Sequence, residues 1–144
     1  MITVQSILKS KGNKVHHVTP DASVFEALEV MAKHNVGALV VMDGERVVGM
    51  ISERDYARKV ILVGKVSKDT PVRDIMSSSV VHVPPEASVE ACMGVMTERR
   101  FRHLVVKDGE RLCGVISIGD VVKAVIDEQR FTIEQLEGYI AGYV

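Results

Sequence analysis

The chain lacks an excess of charge of either sign. Eighteen lysines and arginines face 19 aspartates and glutamates, for a formal net charge of −1. A general nucleic-acid binder needs a basic surface to neutralise phosphates, so that class is set aside, leaving room only for a local basic patch. Cysteine is scarce. Cys92 falls in a helical pattern and Cys113 in an apolar strand, with no CxxC spacing, which is expected of two inert buried thiols in a reducing compartment. No apolar run approaches the eighteen or so residues of a membrane span, and the opening MITVQSILKSKGNK has neither the basic start nor the apolar core of a signal peptide. A cytoplasmic location without membrane association is expected. There is no GxSxG, P-loop or GxGxxG pattern, and no nucleophile, acid and base group together, so an enzyme is not expected.

What the chain does have is a duplication. With 47% hydrophobic and 26% charged residues it has the composition of a globular domain. Shifted by 65 positions, Pro20–Asp55 falls on Pro85–Asp120 without a gap, and 17 of those 36 positions are identical. The matches include Asp43-Gly-Glu-Arg46 with Asp108-Gly-Glu-Arg111, Gly49 with Gly114, and Ser52-x-x-Asp55 with Ser117-x-x-Asp120. One copy is too small to bury its own apolar face, which implies two packed halves with related clefts where they meet.

Ser23 followed by Glu26 is a capping signal, and Val24, Ala27, Leu28 and Met31 recur at helical spacing, so a helix is expected over Ser23–Asn35 and its copy over Ser88–Arg100. Two β-branched runs around an Asp-Gly turn predict hairpins, Ala38–Met42 with Val47–Ser52 and Leu104–Lys107 with Leu112–Ser117. Short strands are expected at Val15–Val18 and Val80–Val83, and helices at Glu53–Leu62 and Ile118–Gln129. Each half therefore reads β-α-β-β-α, an α/β (α+β) fold of two tandem repeats. The divisions expected are 1–65, 66–130 and a helical tail 131–144, with the polar stretch Val63–Thr70 as linker. Two leaders, Val4–Leu8 and Val72–Met76, enter the halves three residues out of the main register. In the tail, Leu136, Tyr139, Ile140 and Tyr143 share one helical face, which asks for a partner: a second copy, or the protein's own body.

Gly49-Met-Ile-Ser-Glu-Arg-Asp55 and Gly114-Val-Ile-Ser-Ile-Gly-Asp120 after each hairpin, the opening Val72-Arg-Asp-Ile-Met76 and the strand entry Phe101–Val106 together make the chain resemble a CBS-domain pair, or Bateman module. The resemblance covers nearly the whole chain, and the tail from Phe131 is similar to that of small stand-alone bacterial members. It implies a non-catalytic regulatory module that holds an adenosine derivative in the clefts between the repeats: AMP in the first place, with ATP or NAD as alternatives. It also implies a homodimer and a regulated partner protein that the sequence does not name.

By spacing alone Ser52 with Asp55, and Ser117 with Asp120, are helix caps. The resemblance adds that each Asp accepts hydrogen bonds from ribose hydroxyls, which suits a carboxylate facing a vicinal diol. It also places the adenine along Val18-Thr19-Pro20 and His82-Val83, with Ile51 and Ile116 flanking the base. The copies differ where the first hairpin strand begins: Gly37-Ala38 aligns with Arg102-His103. Basic residues there are expected to reach phosphate, so Asp55 with Arg102 and His103 is expected to form the stronger phosphate-bearing site. Arg54 and Arg58 add charge in the first copy, where the second has Gly119 and Lys123. His17 and His82 are paired by duplication without a cluster of further ligands, so no metal is expected. Two other functions remain open at this point: a scaffold with unused clefts, or a sensor distinguishing NAD from NADH.

Overall fold

Backbone hydrogen bonds made by the two leaders decide how the chain is partitioned in the computed structural model, which describes residues 2–142. Val4 N donates to the Ala87 carbonyl (2.9 Å), Gln5 N to Pro85 (2.9 Å), and Val89 N to Ile2 (3.0 Å). The second leader repeats the pattern on the first copy: Val72 N to Ala22 (2.8 Å), Arg73 N to Pro20 (3.0 Å), and Val24 N to Thr70 (2.8 Å). Each leader is thus built into the repeat that does not follow it. By packing, the compact units are Lys14–Val80, and Met1–Asn13 together with Val81–Val144, so each leader lies in the unit of the other repeat. The chain passes from unit to unit at 13/14 and 80/81. Val63–Thr70, expected as linker, is an integral part of the first-repeat unit. It holds a 3₁₀ turn at Ser67–Asp69 and the buried Thr70, whose hydroxyl donates to the Val66 carbonyl at 2.8 Å.

In the unit of the first repeat, β1 (His17–Val18) lies parallel to β2 (Ala38–Asp43), which pairs antiparallel with β3 (Arg46–Ser52). Helix α2 (Val24–His34) starts at Ser23, whose hydroxyl accepts from Glu26 N, and stops at Asn35 in the left-handed conformation. The hairpin turns on Gly44 at φ 64°. Val18, Val24, Ala27, Met31, Leu39, Val41 and Ile51 form the core with Val60 and the leader's Val72 and Ile75. After Ser52, α3 (Glu53–Tyr56) is followed by a π-helical stretch, Ala57–Ile61, where an uninterrupted α-helix to Leu62 was expected. The wider turn, closed by Leu62 N to the Ala57 carbonyl at 3.2 Å, buries Val60.

The second unit repeats this order. Its first element, however, is the leader, α1 (Val4–Lys11), a full helix capped by Thr3. Then come β4 (His82–Val83), α4 (Val89–Arg99), β5 (His103–Asp108) and β6 (Arg111–Ser117), in the sheet order β4-β5-β6. Val4, Ile7 and Leu8 of α1 join Val83, Val89, Cys92, Met96, Leu104, Val106, Ile116 and Val121 in its core. Cys92 is fully buried, and burial raises its thiol pKa; Cys113, expected to be buried, is half-exposed near the hairpin end. Helix α5 runs from Ile118 to Ile140 without a break, so the tail expected at 131–144 is not a separate element. Residues Glu128–Ile133 contain no Gly or Pro to interrupt it. Leu136, Tyr139 and Ile140 are 57%, 73% and 83% exposed, so they do not fold back on their own body; Tyr143 lies outside the described residues.

Candidate functional site

Each unit contains one polar junction where a hairpin strand turns into a helix. At the first, the Asp55 carboxylate accepts from Ser52 N (2.9 Å) and Ser52 Oγ (3.0 Å), while Asp55 N donates back to Ser52 Oγ (3.2 Å). The second matches it, with Ser117 N to Asp120 Oδ2 at 2.8 Å and Asp120 N to Ser117 Oγ at 3.2 Å. Both are complete capping boxes, so the capping reading of these residues holds. Strand register brings the start of the preceding strand to the same place: Ala38 pairs with Ser52 and His103 with Ser117. The first helical amides close the corner, Glu53 N on the Gly37 carbonyl (3.0 Å) and Ile118 N on that of Arg102 (2.8 Å).

A lysine completes each junction, and the two come from different places. Lys59, one turn along from Asp55, lies 3.1 Å from Asp55 Oδ1 and donates to the Ile75 carbonyl at 2.9 Å. Lys11, from the leader helix, lies 2.7 Å from Asp120 Oδ2 and donates to the Val115 carbonyl at 3.1 Å. Burial alone would raise the Asp120 carboxyl pKa; the hydrogen bonds from Lys11 and from Ser117 N outweigh it and hold it below the usual carboxylate value. Lys59 was legible from its i,i+4 spacing to Asp55. Nothing in the local sequence connects Lys11 with a residue more than a hundred positions away.

The remaining candidates divide by sheet register. Gly37, Ala38, Ser52 and Asp55 gather at one corner, with Arg54 and Arg58 exposed on the helix that follows. Arg102, His103, Ser117, Gly119 and Asp120 gather at the equivalent corner of the other unit. Val18 pairs with Val41, and Val83 with Val106, so Val18-Thr19-Pro20 and His82-Val83 lie toward the opposite end of each sheet from those corners. The residues leading into β1 and β4 are nearer, since Val40 N donates to the His16 carbonyl and Val105 N to that of Val81. Ile51 and Ile116 are 1% and 0% exposed within the two cores, so neither side chain presents a surface to a base. Asp55 and the Arg102-His103 pair belong to different compact units.

The corners also differ in charge. A Cβ on Gly37 would stand 3.0 Å from the Glu53 carboxylate, which puts an anion beside the first corner. The second has Ile118 in place of Glu53 and the exposed Arg102 in place of Gly37. His103, half-buried there, has its pKa lowered by burial and by the Lys11 and Arg102 charges, against the opposing pull of Asp120. His16, stacked on His34 with ring centroids 3.7 Å apart, is lowered by burial and by its histidine and lysine neighbours. For a histidine lowered below its ordinary value of 6.5, the unfolded chain takes up the proton first as pH falls. Stability is therefore expected to decline as pH drops below that value. Urea unfolding across this range measures the slope, and His103→Gln should flatten it; an equal slope in that variant places the effect elsewhere.

Among the described residues, no group of three or more His, Cys, Asp or Glu is placed to hold a metal ion, and no helix is long and apolar enough to cross a membrane.

Duplicated β-α-β-β-α units, each with a capped Ser-x-x-Asp corner at the end of its hairpin, define a tandem-repeat α/β protein. The chain belongs to the CBS-domain family: the CBS domain model matches residues 2–62 and 72–127. It is 41% identical over 149 residues to the CBS domain-containing protein CBSX3, mitochondrial, of Arabidopsis thaliana, covering 97% of this chain and 72% of that protein. Among solved structures, a putative signal-transduction protein with CBS domains from Burkholderia ambifaria is 48% identical, with a TM-score of 0.86 over 89% of this chain and 96% of that one. The CBS-domain containing protein ATU1752 of Agrobacterium tumefaciens is 40% identical, with a TM-score of 0.81 over 85% and 98% of the two chains. Such pairs are typically regulatory or signal-transduction modules.

Proposed function

We propose that this CBS pair is a non-catalytic cytoplasmic regulator that binds adenosine nucleotides, AMP foremost with ATP or NAD as alternatives, and transmits occupancy to a partner protein. Ligand preferring one arrangement of the protein shifts its population toward that arrangement, and the partner reads the shift. The observation that carries the reading is the corner built twice: a carboxylate fixed at a helix N-terminus, beside the first residues of a neighbouring strand. Ser117 N and Lys11 both act on Asp120 Oδ2. Among the described residues no hydrogen bond reaches Asp120 Oδ1, which leaves an acceptor for a ribose hydroxyl. The exposed Arg102 beside it supplies a fork suited to phosphate, whereas Glu53 beside the first corner repels it.

Ligand at a hundred times its dissociation constant is expected to stabilise the protein by ~2.7 kcal/mol, read as a rise in melting temperature. Asp55→Asn and Asp120→Asn should each reduce calorimetric binding while keeping a side chain able to cap the helix. Arg102→Ala should weaken AMP by about tenfold or more and leave adenosine nearly unchanged, because the lost partner is phosphate. Flat melting curves with AMP, ADP, ATP, NAD and S-adenosylmethionine would remove the nucleotide reading and favour a scaffold. Discrimination between NAD and NADH would make the protein a redox sensor instead.

A further inference from the structure

The two corners differ in what a ribose has to move in order to bind. Each oxygen of a carboxylate has room for about two donors, and the hydroxyls of a vicinal diol are met best one on each oxygen. At the second corner Asp120 Oδ2 already accepts from Ser117 N at 2.8 Å and from Lys11 Nζ at 2.7 Å. Among the described residues no donor reaches Oδ1. One ribose hydroxyl therefore finds an open oxygen and the other finds a filled one.

Of the two donors on Oδ2, only the lysine can leave readily. Ser117 N belongs to the capping box that starts α5, and moving it would undo the cap. Lys11 is a long side chain, 39% exposed, and a second anionic seat lies beside it. A cavity of about 260 Å³ between α1 and α5 is lined by Lys11 and Asp120 and also by Asp127 and Glu128.

At the first corner no side chain has to leave. Asp55 Oδ2 accepts from Ser52 N at 2.9 Å and from the Ser52 hydroxyl at 3.0 Å, and the hydroxyl can turn its proton elsewhere by rotation about one bond. Lys59 lies 3.1 Å from the other oxygen, Oδ1, which keeps room for a second donor. Ser117 Oγ plays no such part at the second corner, where it accepts from Asp120 N at 3.2 Å.

Lys11 is also the last residue of α1, and its ammonium donates to the Val115 carbonyl at 3.1 Å, so it ties the helix end to the corner and to β6 together. Two residues further on, at 13/14, the chain leaves this unit. Val4, Ile7 and Leu8 hold the earlier turns of α1 in the core. Releasing Lys11 loosens the last turn and leaves the rest of the helix seated.

We propose, resting on the nucleotide reading, that Lys11 is a latch: a ligand presenting a full ribose diol displaces it from Asp120, and the last turn of α1 loosens where the chain leaves the unit. Binding at the Asp55 corner has no such consequence. A nucleotide with a single ribose hydroxyl uses Oδ1 alone and leaves the latch shut. Calorimetry with AMP and 2′-deoxyAMP in an Asp55→Asn background reports on the second corner. Lys11→Met, which keeps an unbranched stem and removes the ammonium, is expected to tighten AMP by about threefold to tenfold and to leave 2′-deoxyAMP within about twofold. A lysine that only supports the fold cannot raise affinity when it is removed. Hydrogen exchange in the wild-type chain needs no variant: at residues 9–12 it should accelerate by about threefold or more with AMP and stay unchanged with 2′-deoxyAMP at equal occupancy. AMP affinity unchanged or lowered by Lys11→Met would make the lysine a bystander or a phosphate ligand and overturn the latch. Exchange indifferent to AMP, or raised equally by both nucleotides, would overturn it too. A wild-type chain that binds neither nucleotide removes the nucleotide reading itself and the latch with it.

Discussion

Deleting residues 2–12 is expected to unfold the unit of the second repeat while leaving that of the first protected. Val4, Ile7 and Leu8 are 0%, 7% and 8% exposed, and all three belong to the core containing Leu104, Val106 and Ile116. Burial of large aliphatic side chains is worth ~1.5 to 3 kcal/mol each, so their removal costs roughly 4 to 9 kcal/mol. That approaches the whole stability of a typical domain, about 5 to 15 kcal/mol. The deletion also frees Asp120 from Lys11 and leaves the Ala87 and Pro85 carbonyls without their amide donors. Hydrogen exchange resolved along the chain measures this directly. If protection is lost from residues 17–62 and kept in 82–127, the leader serves the repeat it precedes and the exchange of leaders is wrong.

Gly49→Ala is expected to destabilise by ~1 to 3 kcal/mol and Gly114→Ala by less, although the two glycines are equivalent by duplication. A Cβ on Gly49 would stand 2.7 Å from the Ser77 carbonyl oxygen and 2.8 Å from Met76 Sδ. Ser77 cannot yield easily, because its N–H and carbonyl are both bonded to Met50 at 2.9 Å. On Gly114 the added atom would meet Leu8 Cδ2 at 2.7 Å, the end of a side chain that can rotate away. Both glycines are where a leader crosses its sheet, and only the absence of a side chain lets it approach. Equal losses in the two variants, measured by urea unfolding, would show that backbone and side-chain obstacles are equivalent here.

The local elements were legible for a simple reason: their signals lie within a few residues of one another. Ser23 and Ser88 mark helix starts by accepting the amide three residues on, and Asp43-Gly44 turns a hairpin through a residue tolerant of positive φ. The same locality explains the failures. A pattern of apolar spacing cannot separate an α-helix from the π turn at Ala57–Ile61, nor reveal that Ser67–Asp69, polar enough for a linker, is held by the buried Thr70. At the candidate site, Ser-x-x-Asp was readable in both copies, while the lysine from α1 that fixes Asp120 was not. Alternation of side chains along the strands also escaped notice: Ile51 and Ile116, one residue before the polar corner, point into the cores.

By itself the sequence determined the duplication, the β-α-β-β-α order, the capped corners and their difference in charge, because each is written in residue types at short spacing. Only the tertiary structure decided which leader belongs to which repeat. Both leaders are apolar and similarly spaced, and their bonds run to Pro85 and Ala87, or to Pro20 and Ala22, across tens of residues that no local pattern spans. It likewise decided that the last helix is continuous and leaves its stripe in solvent. Apolar spacing says that a face must be covered; only the packing of the rest of the unit shows that its own body does not cover it.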